Sequence, residues 1–361
     1  MGSVWKSRLG LSIFGQSHGV AIGMTLDGIP AGIQIDMDAL AVFLARRAPG
    51  NHYWASTRKE EDTPEFISGL VDGRTCGAPI TVIIRNKNAN SAEYKEFASI
   101  PRPSHADFAA FMKYGEFWDS AGGGHFSGRL SAALCIAGGI CLQILERNGI
   151  FIRAHISSIG SVHDLLFDKV NVDKETLLKL SEMDFPVFYP EVAERMKLEI
   201  ERAKEEGDSI GGSIGCIALG VPPGLGEPMF DGMENRISRL VFAIPAVKGI
   251  EFGAGFEAAS MRGSVHNDPF YWDLSQEEAK IKTRTNHHGG ILGGITSGMP
   301  LTFRVVIKPT PSITREQESV YFERKEQVIL KIKGRHDHCI VPRAVPCIEA
   351  VAAIAIYDAL I

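Results

Sequence analysis

No Cys-x-x-Cys pair occurs in the 361 residues, although six cysteines stand at positions 76, 135, 141, 216, 339 and 347. Without paired thiols at fixed spacing, a zinc ribbon and a redox Cys-x-x-Cys centre are excluded. Several cysteines sit in apolar runs, where a thiol behaves as a small hydrophobe. This pattern predicts reduced cysteines in a cytoplasmic protein rather than a disulfide framework. Long apolar runs are lacking too. Leu130–Ile144 and Cys347–Ile356 fall short of the ~18–20 residues that cross a bilayer, so both predict helices buried inside the fold. The N-terminus has no apolar signal core, and Lys6 stands where a myristoylation motif places Ser or Thr. No membrane partner is expected. Nor is there an excess of positive charge. A net charge of −5 excludes bulk nucleic-acid affinity, yet allows a local basic pocket for a small anion. P-loop and dinucleotide-binding glycine motifs are absent, as are fixed-period repeats and heptads.

What the chain has in excess is glycine, 38 residues gathered in discrete loops. The densest reads Asp-Ser-Ala-Gly-Gly-Gly-His-Phe-Ser-Gly-Arg, 119–129, and runs straight into the apolar segment Leu130–Ile144. Three bare residues let the backbone take positive φ and let a ligand approach the peptide groups. A glycine loop feeding a helix N-terminus is either an anion site or a tight loop before a buried helix; this stretch alone leaves both open.

Along the chain, Leu9–Phe14 and Val20–Leu26 predict strands, with Val20, Ile22, Met24 and Leu26 on one face. Asp36 caps a helix with a stripe at Met37, Leu40, Ala41 and Leu44, stopped by Pro49-Gly50. Its last turn carries Arg46 and Arg47, which point in different directions. Residues 51–63 read as a loop. Ser104 is a candidate N-cap for a helix to Tyr114, which would place His105 in the first turn. Further strands are expected at 152–157, 211–221 and 301–307, and helices at 191–206, 232–243 and 343–360. No domain boundary is evident, so residues 1–361 read as one domain.

These residues raise three chemistries. A zinc site at His336, His338 and Cys339, with His287 and His288, lacks a second pair at finger spacing. The Gly-Gln-Ser-His-Gly run at 15–19 resembles a nucleophile elbow, but a strand follows where the elbow needs a helix. The remaining signal is distributed over loop ends: His18, Arg46, Arg47, Arg102, His105, Ser127, Arg129, Arg335 and Asp337. Together these supply bidentate donors for carboxylate and phosphate, and imidazoles able to move protons near neutral pH.

Those residues lie in stretches that resemble the chorismate synthase family from Gly15 to the final helix. The stretches are Gly-Gln-Ser-His-Gly (15–19), Arg-Arg-Ala-Pro-Gly (46–50), Arg-Pro-Ser-His-Ala-Asp (102–107) and Ser-Gly-Arg (127–129). Ala-Val-Lys-Gly-Ile-Glu (246–251), His-Gly-Gly-Ile-Leu-Gly-Gly-Ile (288–295), Lys-Pro-Thr-Pro-Ser-Ile (308–313) and Gly-Arg-His-Asp (334–337) follow in order. The resemblance implies an α+β fold, a β-α-β sandwich with a central helical layer between two antiparallel sheets, assembled as a homotetramer. It implies a lyase that removes phosphate and a C6 proton from 5-enolpyruvylshikimate 3-phosphate to give chorismate. That step lies in the shikimate pathway to aromatic amino acids and requires reduced FMN, with NADPH as candidate reductant. It further implies catalytic roles for His18, His105 and Asp337, and substrate contacts from Arg46, Arg47, Arg102, Ser127, Arg129 and Arg335. Flavin contacts are implied at Ser127, Ala246, Gly294, Lys308, Pro309, Thr310, Pro311, Ser312 and Arg335. His125 and Phe126 stand where many members have Arg-Ser, and Pro245 where many have Asn; these three also fall on the flavin side. Tyr53 replaces a frequent Arg in the 51–63 loop.

Overall fold

The computed structural model of the protein describes residues 2–48, 62–86, 98–275, 278–332 and 336–361. Two five-stranded antiparallel sheets enclose a layer of helices. Across the first sheet the strands lie in the order Val4–Lys6, Gly10–Gly15, Ala21–Asp27, Ile80–Arg85 and Glu65–Ser68. Across the second the order is Val247–Phe252, Leu301–Ile307, Gly212–Leu219, Phe151–Ile159 and Val162–His163. Ile22, Met24 and Leu26 are fully buried, as the alternation predicts, but Val20, expected on the same face, precedes the strand in the turn and is 81% exposed. The Gly-Gly-Ile-Leu-Gly-Gly run folds as a small hairpin pairing Ile291–Leu292 with Ile295–Thr296.

The helices are α1 (Met37–Arg47), α2 (Asp107–Tyr114), α3 (Ser131–Arg147), α4 (Lys174–Ser181), α5 (Pro190–Glu205), α6 (Met233–Val241), a single turn α7 (Gly263–His266), and α8 (Val341–Leu360). α1 begins where the sequence puts it, with Asp36 accepting from Ala39 N at 2.9 Å. α3 packs on the first sheet, α8 on the second, and the two pack on each other. Gly138 permits this close approach. A Cβ there would lie 2.3 Å from both Cα and Cβ of Ala350, a separation no side chain tolerates. A turn at Gly128–Leu130 leads directly into α3. The resulting stretch Gly128–Arg147 has 20 residues and the apolarity to cross a bilayer, longer than the run counted from sequence, which stopped at Ile144. Its 18-residue window is 83% buried inside the fold, so the sheets cover it.

Two buried carboxylates on α8 tie the layers together. Glu349 accepts both Arg46 guanidinium nitrogens, at 2.6 and 2.9 Å, and Ala154 N from the second sheet at 2.9 Å. Asp358 accepts Leu9 N and Arg236 Nη1, both at 2.7 Å. Leaving either carboxylate without its partners would cost several kcal/mol, so these contacts fix how the helices seat on the sheets. As a result α3 and α8 both bring their N-terminal turns to one end of the helical layer.

Candidate active site

At that end lies a cavity of about 740 Å³. Ser131 lines it from the first turn of α3, and Ile340, Arg343 and Ala344 from the start of α8. Two helix N-termini therefore face one space, each with the positive end of its dipole. The side chains on the wall reinforce this. Among the described residues Arg47, Arg102, Arg129, Lys248, Lys308 and Arg343 line the cavity with the carboxylate of Asp337, while Asp62 pairs with Arg47 and Arg129, and Asp107 with Arg102, so cations outnumber carboxylates six to three. In a chain of net charge −5 that is a concentrated positive site.

The glycine loop is the wedge between the two histidines. Gly122, Gly123 and Gly124 all take positive φ, at 59°, 82° and 52°. A Cβ on Gly122 would sit 2.0 Å from His18 Nδ1, and one on Gly123 would sit 3.1 Å from His105 Cε1. One on Gly124 would meet Asp119 O at 2.4 Å. Gly122 and Gly124 are thus required by sterics as well as by φ, and Gly123 by φ, with His105 in close contact. Ser17 N donates to Gly124 O at 3.1 Å, which holds the His18 turn against the loop. Of the two readings left open for this stretch, the loop does end at a helix N-terminus, with Ser127 Oγ accepting from Arg129 N at 3.3 Å. Its main work is to let two imidazoles approach the backbone.

His105 does not lie in the first turn of α2. The helix starts at Asp107, and Ser104 caps nothing because its φ is 57°, outside the extended region an N-cap adopts. The Asp107 carboxylate takes over instead. It accepts Arg102 Nε at 2.7 Å, Arg102 Nη2 at 2.9 Å and Arg102 N at 3.0 Å. Its Oδ1 also lies 2.5 Å from His105 Nδ1. The carboxylate can only accept, so Nδ1 carries the proton and Nε2, on the side toward Gly123, presents its lone pair. Burial lowers the His105 pKa below its ordinary value; Asp107 opposes this, while Arg102 and Lys308 add to it. The imidazole is neutral at pH 7. Burial alone would raise the Asp107 carboxyl, but Arg102 and His105 hold it well below the usual carboxylate range.

The adjacent arginines of α1 part ways. Arg46 turns into the core to Glu349 and is not on the cavity wall. Arg47 lines the cavity, donating through Nε to Ser131 Oγ at 3.2 Å and pairing with Asp62. Arg129 donates to Asp62 Oδ1 and to Asn86 Oδ1, each at 2.8 Å. Burial would raise the Asp62 carboxyl, and Arg47 and Arg129 more than reverse this. Asp337 lines the cavity beside Arg343, with which it forms an ion pair.

Next to His105 on the cavity lining, Lys308 joins two strained residues. Its N–H donates to Ala246 O at 2.9 Å, and its Nζ to Ser104 O at 2.6 Å. Ala246 and Ser104 both have positive φ, 72° and 57°, a conformation that costs about 1–3 kcal/mol and clusters at functional sites. Thr310, Pro311, Ser312, Pro245 and Ala246 line the same wall. Ser312 Oγ accepts from Arg102 Nη1 at 3.4 Å. Thr310 Oγ1 is buried with no hydrogen-bond partner among the described residues. His125 and Phe126 line the cavity, and both nitrogens of His125 are engaged, Nδ1 with Gly15 O at 2.8 Å and Nε2 with Ser3 Oγ at 2.6 Å. Gly294 and Pro309 are not wall residues. Gly294 instead accepts Met233 N at 2.8 Å in the turn of the small hairpin. Arg335, like Tyr53, lies outside the described residues.

Sequence reasoning passed over four groups that shape the site: Asp62, Asp107, Lys248 and Arg343. Arg343 carried a local signal. A cation in the first turn of a helix opposes the dipole, so its place there asks for a compensating carboxylate, which Asp337 provides.

The comparisons agree with this geometry. The family model described as chorismate synthase matches residues 9–361. A chorismate synthase of Korarchaeum cryptofilum is 45% identical over 359 residues, covering 99% of this chain and 97% of the relative. One of Thermococcus kodakarensis is 45% identical over 354 residues, covering 98% and 96%. A solved crystal structure of chorismate synthase superposes with a TM-score of 0.75 at 30% identity, covering 98% of this chain and 91% of that one. The chain belongs to the chorismate synthase family, and so is a lyase of aromatic biosynthesis with that family's α+β fold.

Proposed function

We propose that the protein converts 5-enolpyruvylshikimate 3-phosphate to chorismate with loss of phosphate, using reduced FMN. The observation that carries this reading is one positive cavity that gathers His105, Asp337, Arg47, Arg102 and Arg129, with His18 behind the glycine loop. The substrate carries a phosphate and two carboxylates, and six cations with two helix N-termini suit that charge.

The residues present also fit a flavin phosphate. Thr310 offers a buried hydroxyl with its hydrogen-bonding capacity unused, and Lys308 and Lys248 stand on the same wall. Together with Ser312, Pro245 and Ala246 these would hold the cofactor. Reduced FMN, when bound, supplies transient electron density that makes the allylic phosphate a better leaving group. The protein's own groups bind, orient and move protons. Arg102 is held rigidly by Asp107 and presents a fixed charge where phosphate departs. His105 is neutral in the free protein, and a dianionic phosphate beside Nε2 would raise its proton affinity. It therefore takes up a proton when substrate arrives and can give it to the leaving group. Asp337 is the carboxylate available to the C6 proton, oriented by its ion pair with Arg343. His18, packed on Gly122, stands on the flavin side.

NADPH as reductant and a cytoplasmic location belong to the same reading, the latter supported by six free cysteines. So does a homotetramer. Phe270, Trp272, Leu274 and Ile281 are exposed at one hairpin of a single chain, an apolar surface that assembly would cover. Anaerobic assay with reduced FMN and enolpyruvylshikimate phosphate tests the proposal. Release of phosphate together with chorismate is expected; folded protein that binds flavin and releases neither overturns it.

A further inference from the structure

Beneath the cavity floor lie two thiols that the proposed reaction does not use. Cys135 on α3 and Cys347 on α8 are both buried, and their sulfurs are 3.7 Å apart. The helices that carry them are locked together at Gly138 and Ala350, three residues further along each, so the thiols cannot drift apart. Cys347 lines the cavity; Cys135 stands behind it. Cys347 accepts from the Cys135 thiol, and Arg47, Arg343 and Ser131 surround it on the cavity side. We propose that Cys347 is an oxidant-reactive site in the cavity wall and that Cys135 is its resolving thiol.

The chemistry follows from the surroundings. The hydrogen bond from Cys135 lowers the Cys347 pKa most; burial opposes it, and Arg47 adds to the lowering. A thiolate in an electropositive, reachable pocket is the reactive form of cysteine. The other cysteines lack this combination. Burial pushes Cys339 up to about 12 and Cys216 well above its ordinary value, and Cys76 is exposed. With hydrogen peroxide, the Cys347 sulfur attacks one oxygen. The O–O bond breaks, a sulfenic acid forms and hydroxide leaves. Cys135 sulfur then attacks the sulfenic sulfur, an S–S bond replaces the S–O bond, and water departs with the thiol proton. Two thiols lose two electrons and two protons, and the peroxide becomes two waters. Disulfide formation has to bring the sulfurs from 3.7 Å to about 2.05 Å.

Peptide mapping of the full-length protein tests this. Native protein is treated with hydrogen peroxide, residual thiols are blocked, and the digest is read by mass spectrometry with and without dithiothreitol. The expected product is a Cys135–Cys347 linked peptide, lost on reduction. In C135A, oxidation should stop at oxygen added to Cys347, with no link. Wild-type protein that gains oxygen at Cys76 but shows neither a link nor oxygen at Cys347 would overturn the proposal, and that measurement needs no variant to fold.

Discussion

Arg46–Glu349 and Arg102–Asp107 are the same interaction in two places. Each is a bidentate guanidinium–carboxylate pair with a fully buried carboxylate that also accepts a backbone N–H. They differ in what is left over. Among the described residues Glu349 bonds only Arg46 and Ala154 N, so the pair joins α1, α8 and the second sheet without holding a proton-transfer group. Around Asp107 a third partner, His105, turns its other nitrogen toward Gly123 and the cavity. Burial and pairing therefore do not mark a functional charge; a neighbour with an uncommitted valence toward open space does.

Breaking the core pair should give the largest effect. Glu349→Ala leaves Arg46 buried and uncompensated, which costs about 3–5 kcal/mol. Thermal or urea unfolding should show that loss. The double variant Arg46→Met/Glu349→Leu should recover most of it, since replacing a buried pair by apolar groups is often neutral. If the double variant is no more stable than the single one, the pair does more than hold the layers together.

At the cavity the same cut should fall on rate. His105→Ala is expected to slow turnover about 10²-fold, the contribution of a positioned acid–base group. Asp107→Asn should leave the ring in place but weaken its hold on the Nδ1 proton, with a smaller loss and an altered pH–rate profile. Equal rates in wild type and His105→Ala would remove the histidine from the proton path. Gly122→Ala offers an independent check, because its methyl must displace the His18 ring.

A second pair of matched residues extends the contrast to pH. His155 lies fully buried between Phe167 and Phe188, with Asp164 Oδ2 3.7 Å from Nδ1, beyond hydrogen-bond reach. Burial lowers its pKa, against a smaller opposing effect of Asp164. Like His105, it stays neutral in the fold while the unfolded chain takes up a proton near pH 6.5. Both therefore contribute stability that is complete above about pH 6.5 and lost as pH falls below it, at up to about 1.4 kcal/mol per pH unit for each. His155→Phe should flatten the stability–pH slope below pH 6.5 without changing how the turnover rate depends on pH. His105→Ala should change both. A slope unaltered by either substitution would assign the acid sensitivity elsewhere.

How much of this was legible in the sequence depended on whether a residue's role is local. Alternation at Ile22, Met24 and Leu26, and the Asp36 cap, are local, and both hold. Ser104 looked like a cap because Ser is a good one, but a cap also needs an extended backbone, and residue type does not reveal φ. Arg46 and Arg47 are adjacent and chemically identical. Only the helix crossing that places Glu349 beside one of them separates core clamp from cavity wall. Asp62 was invisible as a site residue for the same reason, since it joins Arg47 to Arg129 across α1 and the glycine loop. Asp107 has local partners, Arg102 and His105, but the positive-φ turn at Ser104 that brings them onto its carboxylate is not readable from residue type.

The smallest expected effect draws the sharpest line between core and cavity. Thr302 and Thr310 each bury a hydroxyl with no hydrogen-bond partner among the described residues. Thr302 lies in the strand Leu301–Ile307 of the second sheet, and Thr310 lines the cavity three residues beyond that strand. In the free protein both hydroxyls cost desolvation without return, so Thr302→Val and Thr310→Val should each be neutral or stabilise folding slightly. They should part on adding cofactor. If Thr310 holds the flavin phosphate, Thr310→Val weakens FMN binding about 5–10-fold, the worth of one hydrogen bond, while Thr302→Val leaves it unchanged. Calorimetric titration with FMN reads this directly. Equal affinities in the two variants would mean that the Thr310 hydroxyl does not serve the cofactor, and that an unused buried valence on a cavity-lining residue is not sufficient to mark a binding group.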